Sequence, residues 1–272
     1  MIGVFDSGIG GLTILKSIRA QMPEYDYLYL GDNARAPYGS RSFEVVYEYT
    51  LQSVNYLFSH GCSLVILACN TASAKALRTI QQNDLPKIWN EKCLERVLGI
   101  IRPTAEVISN YTHTNHIGVM ATRGTVDSAS YPLEIHKQSP HIVVTQQACP
   151  MWVPLVENNE HRGDGADFFV KKYIDQMLLK DNDIDTLLLA CTHYPLLLEK
   201  IRKYLPQHIS ILTQGDIVAT SLKNYLYRHS DLSQSLSKGS TCTYLTTESP
   251  EKFSQLASIF LENPIEAKHI SL

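Results

Sequence analysis

Short apolar runs along this chain alternate with longer stretches in which apolar residues recur every three or four positions. Runs of the first kind are Ile2–Phe5, Tyr27–Leu30, Leu64–Leu67, Leu98–Ile101, His116–Ala121, Ile142–Thr145, Leu187–Leu189, Ile209–Leu212 and Cys242–Leu245, and they predict buried strands. Those of the second kind, Leu12–Met22, Ser42–His60, Ala72–Gln81, Asp164–Leu179, Asp216–Arg228 and Pro250–Leu261, predict helices. On the helix over Ser42–His60, the residues expected to face the core are Val45, Val46, Tyr49, Val54 and Leu57. Strand followed by helix, repeated along the chain, predicts an α/β protein built on parallel sheets.

The polar punctuation between these elements repeats as well. Ile2–Phe5 runs into Asp6-Ser7-Gly8-Ile9-Gly10-Gly11, a glycine-rich turn able to cradle an anion with backbone N–H groups, although its spacing is neither a dinucleotide nor a P-loop pattern. His116–Ala121 runs into the small polar turn Thr122-Arg123-Gly124-Thr125 in the same style. Each such unit is followed by a strand that ends in a cysteine, first Cys69 and then Cys191. This duplication predicts two similar doubly wound parallel-sheet domains facing a central cleft, with ligands outside the carboxyl ends of the strands. The expected division is residues 1–97 plus 210–272 for the first domain and 98–209 for the second. Between the elements, Asn83–Arg96, with Pro86 and Trp89, reads as irregular, Ala148–Glu157 as an apolar segment closing on one acid, and His229–Lys238 as a surface loop.

Composition narrows the function. With 44% hydrophobic residues, 272 residues can bury a full core. A net charge of −3 and the absence of a basic stripe argue against nucleic acid and anionic membrane as partners. No apolar stretch reaches the roughly 18 residues of a membrane span, and Met1–Asp6 does not read as a signal peptide, so a cytoplasmic protein is expected. The six cysteines lack metal-ligand spacing and predict reduced thiols rather than a disulfide framework or a metal site.

A buried cysteine is ordinary core filling when met singly. Here two of them follow apolar strands and precede helical segments, as Ala68-Cys69-Asn70-Thr71-Ala72-Ser73 and Ala190-Cys191-Thr192-His193. Unpaired N–H groups at a helix N-terminus stabilise a thiolate, so both thiols are expected to be acidified. The loop Gly31–Ser40, with Arg35, Pro37, Tyr38 and Gly39, is the other expected ligand-binding segment.

These same motifs resemble the cofactor-independent aspartate/glutamate racemase superfamily, and within it the glutamate racemases. The likeness rests on Gly3–Gly8 with Gly10–Thr13, Gly31–Arg35 with Pro37–Gly39, Ala68–Ala74, Val153–Glu157 and Cys191–Leu196, and it runs nearly end to end. It implies that Cys69 and Cys191 are the catalytic acid and base on opposite faces of the substrate Cα, Cys69 serving the D-enantiomer and Cys191 the L-enantiomer. It implies substrate contacts at Asp6, Ser7, Tyr38, Gly39, Asn70, Thr71, Thr192 and His193, with Asp6 and His193 tuning proton transfer, and less directly roles for Thr122 and Glu157. It further implies no cofactor and no metal, glutamate as the small-molecule substrate, a homodimer, and a supply of D-glutamate for peptidoglycan. His193, where aspartate racemases typically carry Glu, favours glutamate. Arg102-Pro103 and Thr213-Gln214-Gly215 depart from the family pattern, which places acids in these two turns. Aspartate racemisation, or a redox module pairing Cys69 with Cys191, are the competing readings.

Overall fold

A computed structural model describes residues 1–88 and 95–272. Among the described residues, ten strands form two sheets, all of whose pairings are parallel. The strands are β1 (Ile2–Asp6), β2 (Tyr27–Gly31), β3 (Leu64–Leu67), β4 (Arg96–Gly99), β5 (His116–Ala121), β6 (Val143–Ala148), β7 (Thr186–Ala190), β8 (Ser210–Leu212), β9 (Cys242–Thr246) and β10 (Ala267–His269). The first sheet runs β10-β9-β2-β1-β3-β4 and the second β6-β5-β7-β8. The run β2-β1-β3-β4 in one therefore matches β6-β5-β7-β8 in the other, the duplication expected from the sequence. Gly3 on β1 pairs with Val65 on β3, as Gly118 on β5 pairs with Leu187 on β7.

Side-chain alternation makes each sheet two-faced. Ile2, Val4, Tyr27, Tyr29, Leu64 and Ile66 join one core cluster with Leu12, Leu15 and Ile18 of the helix Leu12–Gln21. On the opposite face Phe5, Leu28, Leu30, Val65 and Leu67 meet Val46, Val54 and Leu57 of the helix Phe43–Ser59. Val45 and Tyr49, expected in that core, are half-buried. In the second sheet Ile117, Val119, Leu188 and Ala190 pack on Tyr131 and Ile135, while Leu187 and Leu189 join the same cluster as Val4 and Ile66. One continuous core thus runs from the first sheet to the second.

Strand pairing moves the changeover points. β4 extends to Gly99 in the first sheet, and β8, beginning at Ser210, pairs with β7 in the second. Sheet membership therefore changes a few residues later than the expected boundaries at 97 and 209. The reason is the parallel register, which extends each edge strand to match its neighbour and cannot be read from hydropathy. Ile101 opens a helix, Ile101–Val107, and does not close a strand. Of the stretch read as irregular, Leu85–Ile88 is helical, and Trp89 lies outside the described residues. The expected loop at His229–Lys238 contains a short helix, Ser230–Ser235, held down by the buried Leu232 and Leu236. Among the described residues no helix is long and apolar enough to cross a membrane.

Candidate active site

β3 ends at Leu67, and two residues later Cys69 turns the chain into the helix Asn70–Lys75. Its side chain is the helix cap: Sγ accepts from the Ala72 N–H at 3.5 Å and donates to Ser7 Oγ at 3.4 Å. Cys191 directly follows β7, with Thr192 and His193 between it and the first helical turn, Tyr194–Leu197. Cys69 is therefore at a helix N-terminus, as expected, whereas Cys191 is set back from one. Its Sγ lies 3.9 Å from His193 Nδ1. Both thiols line a single cavity of about 230 Å³ between the two sheets.

The expected acidification of Cys69 is not found. Burial pushes its thiol up to about 12, helped by the charge of Asp6, while the Ser7 hydroxyl and the Ala72 N–H only partly oppose this. A helix of six residues offers a modest favourable field, on the order of 0.3–1 kcal/mol, and burial of an anion outweighs it. Asp6 itself is fully buried and does not line the cavity. It sits behind the wall, where its carboxylate accepts from the Gly8 N–H at 2.9 Å and from the Thr192 hydroxyl at 3.3 Å, tying the first half to the second. Burial raises the Asp6 carboxyl too, against the pull of His193, the Gly8 and Gly11 N–H groups and the Thr192 hydroxyl.

His193 has the opposite environment. Burial on its own would lower the imidazole, but Cys191 and Glu157 outweigh it and push the group up to about 10. The second contact is His193 Nε2 to Glu157 Oε1 at 3.1 Å. The cavity thus has a cation beside one thiol and a buried acid beside the other.

The other expected residues gather here with differing exposure of their polar atoms. Ser7, Tyr38, Gly39, Asn70, Thr71, Thr192 and His193 all line the cavity, as do Thr122 and Glu157. Thr71 Oγ1 meets Thr122 Oγ1 at 2.9 Å across the cleft. A Cβ at Gly39 would stand 2.8 Å from that of Thr122, so the halves approach here to a distance only glycine allows. The Tyr38 hydroxyl gives its proton to Asp32, which also binds Arg35, so that proton is not free to donate into the cavity. Ser40 and Pro37, from the expected loop, line it too, whereas sequence reasoning missed Arg123, Cys149, Pro150, Val153 and Pro154 as lining residues. Arg123, Cys149 and Pro150 lie just beyond the ends of β5 and β6, so the strand-end rule that found Cys69 and Cys191 would have found them too.

The family model of Asp/Glu/hydantoin racemases matches residues 12–221. A glutamate racemase from Persephonella marina is 38% identical over 272 residues, covering 100% of this chain and 97% of that protein. The chain belongs to the Asp/Glu/hydantoin racemase family. Its full-length relatives include glutamate racemases, and it is an amino-acid racemase, an isomerase. Two solved members share its fold. A glutamate racemase isoform of Bacillus anthracis superposes with a TM-score of 0.89 at 33% identity, over 100% of this chain and 97% of that one. The Francisella tularensis glutamate racemase, solved in complex with D-glutamate, gives 0.85 at 32% identity, over 99% and 97%.

Proposed function

We propose that this racemase interconverts L- and D-glutamate by a two-base mechanism in which Cys69 and Cys191 exchange protons with opposite faces of the substrate Cα. The observation that carries the reading is that two thiols from matching strand ends of two similar sheets line one cavity. Racemisation requires a proton to leave one face and another to arrive on the other, and bases on facing walls meet that need.

The unequal surroundings of the two thiols support a defined starting state. The His193 cation, 3.9 Å from Cys191 Sγ, favours negative charge on that sulfur as it acts as base, while burial and Asp6 keep Cys69 a thiol. From L-glutamate, the Cys191 thiolate takes the Cα proton and becomes a thiol. Cys69 then delivers its own proton to the other face and is left as the thiolate, the state that accepts a proton from D-glutamate in reverse. A thiolate whose conjugate acid titrates near 12 is a stronger base than an ordinary one, which suits a substrate proton as weakly acidic as Cα–H. Negative charge developing on the carboxylate falls near Thr192 and the N–H groups that open the helix Asn70–Lys75.

The D-glutamate bound to the Francisella tularensis relative supports glutamate as substrate here. The biological role we assign is supply of D-glutamate for peptidoglycan, in the cytoplasm, by a homodimer. Incubation of either enantiomer in deuterated water tests the chemistry: Cα deuteration is expected with both, and none with either would overturn it. Cys69→Ala and Cys191→Ala should each abolish racemisation while glutamate still binds. A substrate panel followed by circular dichroism separates glutamate from aspartate.

A further inference from the structure

Behind Asn70, three side chains form a closed ring of hydrogen bonds. Asn70 Nδ2 donates to Gln214 Oε1 at 2.8 Å, Gln214 Nε2 donates to the Tyr131 hydroxyl at 2.7 Å, and that hydroxyl donates to Asn70 Oδ1 at 2.5 Å. The members come from distant elements. Asn70 opens the helix after β3, Tyr131 belongs to the helix Ser130–Gln138, and Gln214 sits in the turn between β8 and the helix Gly215–Arg228. All three are buried, at 3%, 0% and 4% exposure.

The ring has a direction, and a main-chain carbonyl sets it. Gln214 Nε2 also lies 3.3 Å from the Ile100 carbonyl oxygen, an atom that can only accept. Thr104 donates its hydroxyl proton to the same carbonyl at 3.1 Å and so accepts from Gln214 Nε2 at 3.0 Å. The Gln214 amide is thereby oriented with its oxygen toward Asn70. Asn70 must then offer nitrogen, and its own oxygen is left to Tyr131. One Nδ2 hydrogen of Asn70 has no partner among the described residues, and Asn70 lines the substrate cavity.

We propose that Gln214 and Tyr131 are positioning residues that make Asn70 present N–H rather than C=O to the cavity, so that it receives a substrate carboxylate. This rests on glutamate being the ligand. With the amide reversed, a carbonyl dipole would face the carboxylate and repel it. An acid at position 214 could not donate to the Ile100 carbonyl, and it would draw the Tyr131 hydroxyl away from Asn70.

Steady-state kinetics and amide exchange test the proposal together. Tyr131→Phe removes one oxygen and is expected to raise KM about tenfold, the lower end for a hydrogen bond to a charged group, with kcat changed far less. Because the enantiomers are equal in free energy, kcat/KM must fall by the same factor in both directions. Asn70→Ala should raise KM comparably, and Tyr131→Phe added to it should do nothing more. A merely structural role for Tyr131 would add its full penalty in both backgrounds. An unchanged KM in Tyr131→Phe, or additive penalties in the double variant, would overturn the proposal. A second variant, Gln214→Met, is read by NMR on the ligand-free protein. One Asn70 side-chain amide proton should be protected from solvent exchange in the wild type and lose that protection in the variant. Equal exchange in the two would refute the positioning whether or not glutamate proves to be the substrate. Wild-type protein that neither binds nor racemises glutamate would instead refute the substrate assignment.

Discussion

Replacing Glu157 with glutamine keeps the shape of the His193 contact and removes its charge. His193 stands at about 10 against an ordinary 6.5, even though burial pulls it down, because Cys191 Sγ lies at 3.9 Å and Glu157 Oε1 at 3.1 Å. An opposite charge at this range moves a titration by about 1–3 pH units, and the Glu157 side chain, 27% exposed, belongs in the middle of that span. The variant imidazole should therefore titrate near about 8, a loss of roughly 3 kcal/mol in stabilisation of the cation. At about pH 9 most wild-type molecules would carry the imidazolium and about one variant molecule in ten would, so kcat/KM should fall roughly tenfold there and little at about pH 7. The effect on stability has its own window. A group raised in the folded state contributes fully below its unfolded value of 6.5, and the contribution is lost as pH rises through about 10. The variant should thus be less stable at neutral pH, and the deficit should close as pH rises through about 10. Racemisation of both enantiomers, followed by circular dichroism across pH, measures the alkaline limb, and denaturant melts measure the stability. Coincident alkaline limbs in wild type and variant would refute the assignment of His193 as a Glu157-supported cation.

Trp152 is fully buried with its ring edge-on to Tyr194 at 4.7 Å, and Trp152→Ala should cost about 3–5 kcal/mol in urea unfolding. Gly10→Ala places a methyl 2.3 Å from Thr192 Oγ1 and 2.5 Å from His193 Nδ1, two groups held by Asp6 and Glu157 respectively. It should cut racemisation by at least about tenfold, whereas Gly165→Ala, whose Cβ meets nothing within 4 Å, should leave activity intact and stabilise by about 0.4–1 kcal/mol. The Asp185 carboxylate is held at about 2 because the Thr112 hydroxyl and the His113 and Thr114 N–H groups outweigh its burial. That stabilisation is present above its ordinary 3.8 and is lost as pH falls through about 2, so Asp185→Asn should lower the melting temperature at neutral pH and flatten its decline in acid.

Much of the architecture was legible because it is local. A run such as Leu64–Leu67 buries every side chain, a period of three to four marks the helices, and the chain returns to the same order twice. The residues that open onto the cavity were legible for a related reason. In parallel sheets the carboxyl ends of the strands converge on one side, so Ser7, Cys69, Thr122 and Cys191 could be grouped before any distance was known. The last strand, Ala267–His269, was not legible, since three residues with two charged or polar members carry no strand signal and owe their conformation to pairing with β9. The Tyr38 hydroxyl was not either: nothing in Pro37-Tyr38-Gly39 says that the phenol turns to Asp32.

The amino-acid sequence by itself singled out the residues proposed to serve the chemistry: two cysteines at matching strand ends, each followed by a polar pair. It did so because element type and strand-end position depend on neighbours within a few residues. Tertiary structure alone decided how those residues behave. The high titration of Cys69 comes from burial and from Asp6 on another strand, and the cationic His193 from Glu157, 36 positions away. The orientation of Asn70 comes from Gln214, 144 positions away, and ultimately from one main-chain carbonyl. Electrostatics and hydrogen-bond direction depend on distance in space, and chain folding sets that distance between residues that no sequence pattern connects.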